Sequence, residues 1–194
     1  KSVIDCPVGT YSSEAGAVSA GCVACNIGYT TSSSGTTGSD QSVCSVCAQG
    51  YYSSNGQANG TNTGCDPCLA GFSTSSPGQS SCSACDVGKY SSVGSSCTLC
   101  NTGYTTSNSG TEGADQSVCG VCAIGFYSDD GNAKGTNTGC NTCGTGYTTN
   151  TSGTIGTDAS LCTKCAAGYT GTSSQGTSGC NICSVGKYSA VDGP

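Results

Sequence analysis

Apolar residues along this chain stand singly and follow neither of the periods that build ordinary elements. Ile4, Ile27, Leu69, Phe72, Leu99, Ile124, Phe126, Ile155, Leu161 and Ile182 are scattered among Ser, Thr and Gly. That spacing supports neither an amphipathic helix nor a long alternating strand. The pattern keeps time with cysteine instead. From Cys22 onward the cysteines come in C-x-x-C pairs: Cys22/Cys25, Cys44/Cys47, Cys65/Cys68, Cys82/Cys85, Cys97/Cys100, Cys119/Cys122, Cys140/Cys143, Cys162/Cys165 and Cys180/Cys183, with Cys6 alone at the start. Three residues past Cys6, and past the second cysteine of every pair, stands a glycine: Gly9, Gly28, Gly50, Gly71, Gly88, Gly103, Gly125, Gly146, Gly168 and Gly186. One or two places later comes an aromatic, and this position accounts for all ten tyrosines and both phenylalanines.

The chain is therefore a run of ten C-x-x-G-[x]-aromatic starts, each followed by a Ser/Thr/Gly stretch. A glycine so placed suits a tight turn with positive φ. The aromatic is expected to fold back over its own cystine as a miniature core. The turn formers that follow exclude a long helix. The predicted fold is a set of small disulfide-rich repeats, an elongated array of short β-hairpins and irregular loops with little or no helix.

A higher order is visible. Cys25–Cys65 and Cys100–Cys140 match at about three-quarters of positions, both running from C-N-x-G-Y-T-T to G-T-N-T-G-C. The repeats fall into four types: a valine-glycine type opened by Cys6, Cys85 and Cys183, a long Gly-Tyr-Thr-Thr type by Cys25, Cys100 and Cys143, a middle type by Cys47 and Cys122, and a short type by Cys68 and Cys165. This divides the chain into a first valine-glycine repeat (1–24), a four-repeat cassette (25–99), a partial second cassette (100–142), a partial third (143–182) and a truncated repeat (183–194). Such arrays touch mainly their neighbours. If each link between repeats advances the chain by three Cα steps, ten repeats make a rod of at most about 100 Å.

Composition sharpens this. The 194 residues include 19 cysteines and 32 glycines, but no tryptophan, methionine or histidine. Burial of so little apolar surface cannot offset the chain entropy alone, so covalent bridges are required. Lys1, Lys89, Lys134, Lys164 and Lys187 are the only cations against eleven carboxylates, a net charge of −6. No basic face exists for nucleic acid, and no stretch is long and apolar enough for a helical membrane span. No amino-terminal leader is visible, which fits a processed start.

C-x-x-C pairs about 15–20 residues apart also spell a zinc site. The pairs here run on in one series with no division into fours, and few cations could offset a four-thiolate site. Disulfides are the reading, with no metal and no cofactor. Two connectivities remain open. In the sequential one each opener bonds the next cysteine along: Cys6–Cys22, Cys25–Cys44, Cys47–Cys65, Cys68–Cys82, Cys85–Cys97, Cys100–Cys119, Cys122–Cys140, Cys143–Cys162 and Cys165–Cys180, leaving Cys183 unpaired. The interleaved one (Cys22–Cys44, Cys25–Cys47 and so on) leaves Cys6 without an obvious mate. Each sequential bridge is worth roughly 3 kcal/mol in the chain-entropy model.

Catalytic chemistry is not expected. Histidine is absent, and the adjacent carboxylates Asp129/Asp130 read as a solvated turn. Asp40, Asp115 and Asp158 recur four residues before a cysteine and read as turn caps bonding local backbone N–H groups. Each offers one carboxylate where calcium wants six to eight oxygens. Two N-glycosylation sequons occur, at Asn59 and Asn150.

The opening C-x-x-G-x-[YF]…C resembles the first module of tumour-necrosis-factor-receptor and ephrin-receptor-like cysteine-rich repeats, most closely at Cys85-Asp86-Val87-Gly88-Lys89-Tyr90…Cys97. That resemblance implies a bond between the flanking cysteines and so favours the sequential pattern. Over essentially its whole length the chain resembles ciliate surface (immobilization) antigens, through G-T-N-T-G-C at Gly60–Cys65 and Gly135–Cys140 and A-x-G-Y at Ala166–Tyr169. The resemblance implies an extracellular, cell-surface location and a structural role in a cell or ciliary coat or fibre. The implied partners are other coat subunits, self-association included, and the sequons at Asn59 and Asn150 add covalent glycans. The alternative is a receptor-type ectodomain or adhesin. Cys183 opens a repeat matching that of Cys85, whose closing cysteine lies twelve positions on. The mate of Cys183 is therefore expected beyond Pro194.

Overall fold

The computed structural model describes residues 5–14, 21–174 and 178–189. Lys1, Ile4 and Pro194, named above, lie outside them. The fold is a series of small disulfide-rich hairpin repeats. Each of the ten C-x-x-G segments makes the same reverse turn, closed by a hydrogen bond such as Tyr29 N–H to Asn26 C=O at 3.1 Å. The glycine occupies its third position with φ between 80 and 93° throughout. That is the type II geometry, in which a Cβ would be strained.

A two- or three-residue strand leaves most turns and pairs antiparallel with the next C-x-x-C link. Thr10–Tyr11 pairs with Val23–Ala24, Tyr51–Tyr52 with Asp66–Pro67 and Phe72–Ser73 with Ser83–Ala84. The links are therefore strands rather than spacers. The longest pair is Tyr169–Ser174 with Ser178–Ile182. The only helical pieces among the described residues long enough to name are 3-10 turns at Gln41–Val43, Gln116–Val118 and Ala159–Leu161.

Those turns belong to the three long repeats, and these repeats differ in register. In the others the residue after the turn glycine faces the residue before the next opener, as Thr10 faces Ala24. In the long repeats it faces the opener itself: Tyr29 with Cys47, Tyr104 with Cys122 and Tyr147 with Cys165. A one-residue slip sends side chains to the opposite face. The long repeats also reach back to their predecessors by parallel pairing. Thr111 and Glu112 lie beside Tyr90 and Ser91, and Thr154 and Ile155 beside Tyr127 and Ser128. The cysteine pattern holds no sign of this pairing.

Contacts divide the chain into two compact units. The first comprises Lys1–Cys85, Tyr90–Thr98 and Gly110–Ala114; the second comprises Asp86–Lys89, Leu99–Ser109 and Asp115–Pro194. Both are built alike inside. The buried side chains are mostly half-cystines and hydroxyls, joined by Val46, Tyr11, Tyr90 and Tyr127. In the first unit Thr31 accepts a hydrogen bond from the Gly9 N–H at 3.0 Å, and Thr74 accepts one from the Gly50 N–H at 2.9 Å. In the second, Thr106 serves Gly88 and Thr149 serves Gly125, both at 2.9 Å. The donor always belongs to the preceding repeat. Thr31, Thr106 and Thr149 also donate to the carbonyls of Ser33, Asn108 and Thr151. These three buried hydroxyls are thereby used in both senses, as burial demands.

The aromatics meet the expectation only in part: Tyr147 packs against the cluster that holds its own cystine, Cys143–Cys162, while others reach across a junction. Tyr127 packs on the cystine of the following repeat, Cys143–Cys162. The rings of Tyr51, Phe126 and Tyr169 lie against the turn glycines of the preceding repeats, Gly28, Gly103 and Gly146. A Cβ on Gly103 would sit 2.9 Å from the Phe126 ring. The rings are shared across junctions because a glycine turn leaves a flat, side-chain-free platform that a neighbour's ring can cover. Backbone approaches are as close: a Cβ on Gly131 would lie 2.4 Å from the Gly153 carbonyl oxygen.

Candidate functional site

The cysteines come first because they carry the chain. The nine bridges follow the sequential order, Cys6–Cys22, Cys25–Cys44, Cys47–Cys65, Cys68–Cys82, Cys85–Cys97, Cys100–Cys119, Cys122–Cys140, Cys143–Cys162 and Cys165–Cys180. Their Cα–Cα distances are 5.4–5.8 Å. Every C-x-x-C pair is thus split between two bridges or, at Cys180/Cys183, between a bridge and the free thiol. Among the described residues no group of three or more His, Cys, Asp or Glu is placed to hold a metal ion. Cys183 is free and half-buried, with the Ser189 hydroxyl 3.6 Å from its sulfur. The bridged counterpart Cys85 stands in the same relation to Ser91, at 3.5 Å.

The recurring aspartates cap the 3-10 turns. Asp40, Asp115 and Asp158 accept from the backbone N–H of Ser42, Ser117 and Ser160 at 2.8–2.9 Å. The hydroxyl and then the backbone N–H of that serine hold each carboxyl below its ordinary value. Asp129 and Asp130 form an ion-paired turn: Lys134 Nζ lies 2.6 Å from Asp129 and 3.2 Å from Asp130. The Asn132 backbone N–H, then Lys134, lowers the Asp130 carboxyl, and the two carboxylates raise the Lys134 ammonium. Each of these carboxylates is committed to a local hydrogen bond or ion pair.

Asn59 and Asn150 are exposed, and so are the hydroxyl residues of their sequons, Thr61 and Ser152. Asn59 opens a small turn, its N–H bonding the Thr63 carbonyl at 2.9 Å. Asn62 and Asn137, in the G-T-N-T-G phrases, adopt φ of 57° and 58°, the left-handed region that Asn tolerates better than most residues.

Two surface features were not read from the sequence. Val8, Ile27, Val87 and Ile124, each just before a turn glycine, project into solvent. In the first compact unit, Tyr52, Pro67, Leu69, Phe72, Ser81 and Cys82 line an open hollow of about 450 Å³. Leucine at position 69 beside an unusually short repeat was the available signal. Its weight emerges only once repeats 3 and 4, counted along the chain and opened by Cys47 and Cys68, are packed together. No described helix is long and apolar enough to cross a membrane. Compared with protein-family models and with curated proteins, the chain matches none.

Proposed function

We propose that this chain is a non-catalytic structural glycoprotein of the extracellular surface, part of a cell or ciliary coat or fibre. The observation that carries this reading is where the buried groups are spent. Cystines, threonine hydroxyls and turn glycines hold each repeat closed or bind it to the next. A chain organised this way is a mechanical part, in which the same bonds recur along its length. Nine disulfides suit an oxidising, extracellular setting. Glycans on the exposed Asn59 and Asn150 would cover surface that the fold leaves free, and the partners are neighbouring coat subunits, other copies of the chain included.

Negative-stain electron microscopy of native material tests the reading. Filaments or ordered layers are the expected result; isolated particles would remove it. One observation favours a second reading, a receptor-type ectodomain or adhesin: the hollow at Leu69 and Phe72 is an exposed apolar recess of the kind that takes a protein partner.

A further inference from the structure

The junction between repeats 3 and 4 has an internal counterpart between repeats 7 and 8. Aligned on their cysteines, Tyr52 corresponds to Tyr127, Phe72 to Tyr147, the Cys68–Cys82 bridge to Cys143–Cys162, and Ser81 to Leu161. The counterpart is filled. Tyr127 is only 8% exposed, and Leu161 and Tyr147 pack against the same cluster. Repeat 4 spans 14 positions between its cysteines where repeat 8 spans 19. It therefore lacks the 3-10 turn and the leucine that turn carries. What remains is the hollow, with Tyr52 half-buried, Phe72 39% exposed and Leu69 74% exposed.

We propose that this hollow is the docking site for the Ile27 turn tip of a second copy of the chain. The inference rests on the coat reading and names one of its contacts. Three observations select the occupant. The counterpart junction shows that a branched aliphatic side chain completes this cluster of rings and cystine. Ile27 is such a side chain, isomeric with the leucine of the counterpart and 87% exposed; Val185, at the same turn position and 104% exposed, is one carbon shorter, and Val8, Val87 and Ile124 are only 54–56% exposed. Charge agrees: copies bearing −6 repel one another, yet no residue lining the hollow is charged, and Asn26 and Gly28 flank Ile27. The lining of the hollow and the immediate neighbours of Ile27 thus bring no charge of their own to the contact. The volume lies within the roughly 300–1,000 Å³ range of binding pockets. The tip and the hollow are different surfaces, so the contact is heterologous and runs on from copy to copy instead of closing as a dimer.

The test uses the full oxidised chain and three variants at exposed positions: Leu69→Asp, Ser81→Leu and Ile27→Ser. Intact mass without reduction verifies the bridges in each. Sedimentation and electron microscopy then follow assembly against concentration. The unmodified chain is expected to polymerise. Leu69→Asp places a carboxylate in the contact, Ser81→Leu fills the hollow from within, and Ile27→Ser removes the tip. Each should raise the concentration needed for assembly at least about tenfold, a loss of about 1.4 kcal/mol per contact. Mixing Leu69→Asp, which keeps only a tip, with Ile27→Ser, which keeps only a hollow, should give one-to-one dimers that grow no further. Polymers formed by all three variants as readily as by the parent would overturn the proposal and leave the coat reading standing. Polymers formed by Ile27→Ser alone would assign the hollow to another occupant and overturn it equally. A parent chain that stays monomeric overturns the proposal, and only native material without filaments or layers removes the coat reading as well.

Discussion

Segments 25–65 and 100–140 are two copies of one stretch of chain, and eleven of their 41 positions differ. None of the eleven is buried in either copy. Tyr51 against Phe126 is half-buried in both, Ser45 against Gly120 becomes half-buried in the second, and the rest are exposed. The buried Thr31, with its counterpart Thr106, and the bridge-forming cysteines are unchanged, and each threonine accepts the same inter-repeat hydrogen bond. The surfaces have diverged instead. One copy presents Ser54, Asn55 and the sequon residue Asn59 where the other presents Asp129, Asp130 and an ion-paired Lys134. The lesson is that a fold with almost no apolar core places its constraint on sulfur, hydroxyl and glycine, and leaves the remaining positions open to change.

The largest effect should erase both copies together. Reduction of the nine bridges is expected to abolish strand structure throughout, because burial of scattered apolar residues cannot offset chain entropy. Circular dichroism and amide dispersion before and after reduction check it. A chelator under oxidising conditions should change neither, and unfolding by a chelator would break the disulfide account.

Next in size are the buried hydroxyls. Thr31→Val and Thr106→Val keep the shape and leave the Gly9 or Gly88 N–H without its partner. Each should cost about 1–3 kcal/mol, and by similar amounts if the copies are equivalent. Thr→Ser at the same positions should cost less. Denaturant unfolding of the four variants measures this.

The caps sharpen the comparison through pH. Asp40 and Asp115 have folded-state carboxyl values held below the ordinary one by Ser42 and Ser117. A lowered folded value contributes stability that is fully present above the unfolded value, about 3.9, and is lost as pH falls through the folded one. Asp40→Asn and Asp115→Asn should therefore keep neutral-pH stability, since Asn also caps well, and each should remove its part of the acid-side loss. Thermal midpoints from pH 7 to pH 2 test both positions. An unchanged acid limb in the variants would detach the caps from stability.

The smallest effect belongs to the diverged surface. Lys134→Asn restores the residue found at Asn59 and breaks exposed ion pairs, which are worth little. The thermal midpoint should stay within experimental scatter. Its dependence on salt should fall relative to the parent chain.

What could be read in advance was local. Cysteine spacing, the turn glycine three residues on and the aspartate four residues before Cys44, Cys119 and Cys162 all act within a few bonds of where they stand. Their turns and caps are therefore legible in the string, and the open choice between two connectivities narrows to one once the bridges are placed. The aromatics show the boundary of such reading. Their spacing from glycine is regular, but whether Tyr51 covers its own cystine or Gly28 of the preceding repeat depends on how repeats stack. Stacking also set the one-residue register slip of the long repeats, the parallel pairing of Thr154–Ile155 with Phe126–Ser128, and the burial of the second threonine in Gly-Tyr-Thr-Thr. The hollow belongs to the same class. Ser81 in place of a leucine is an ordinary serine in the chain, and only the packing of one repeat on the next turns its small side chain into an opening between two rings and a cystine.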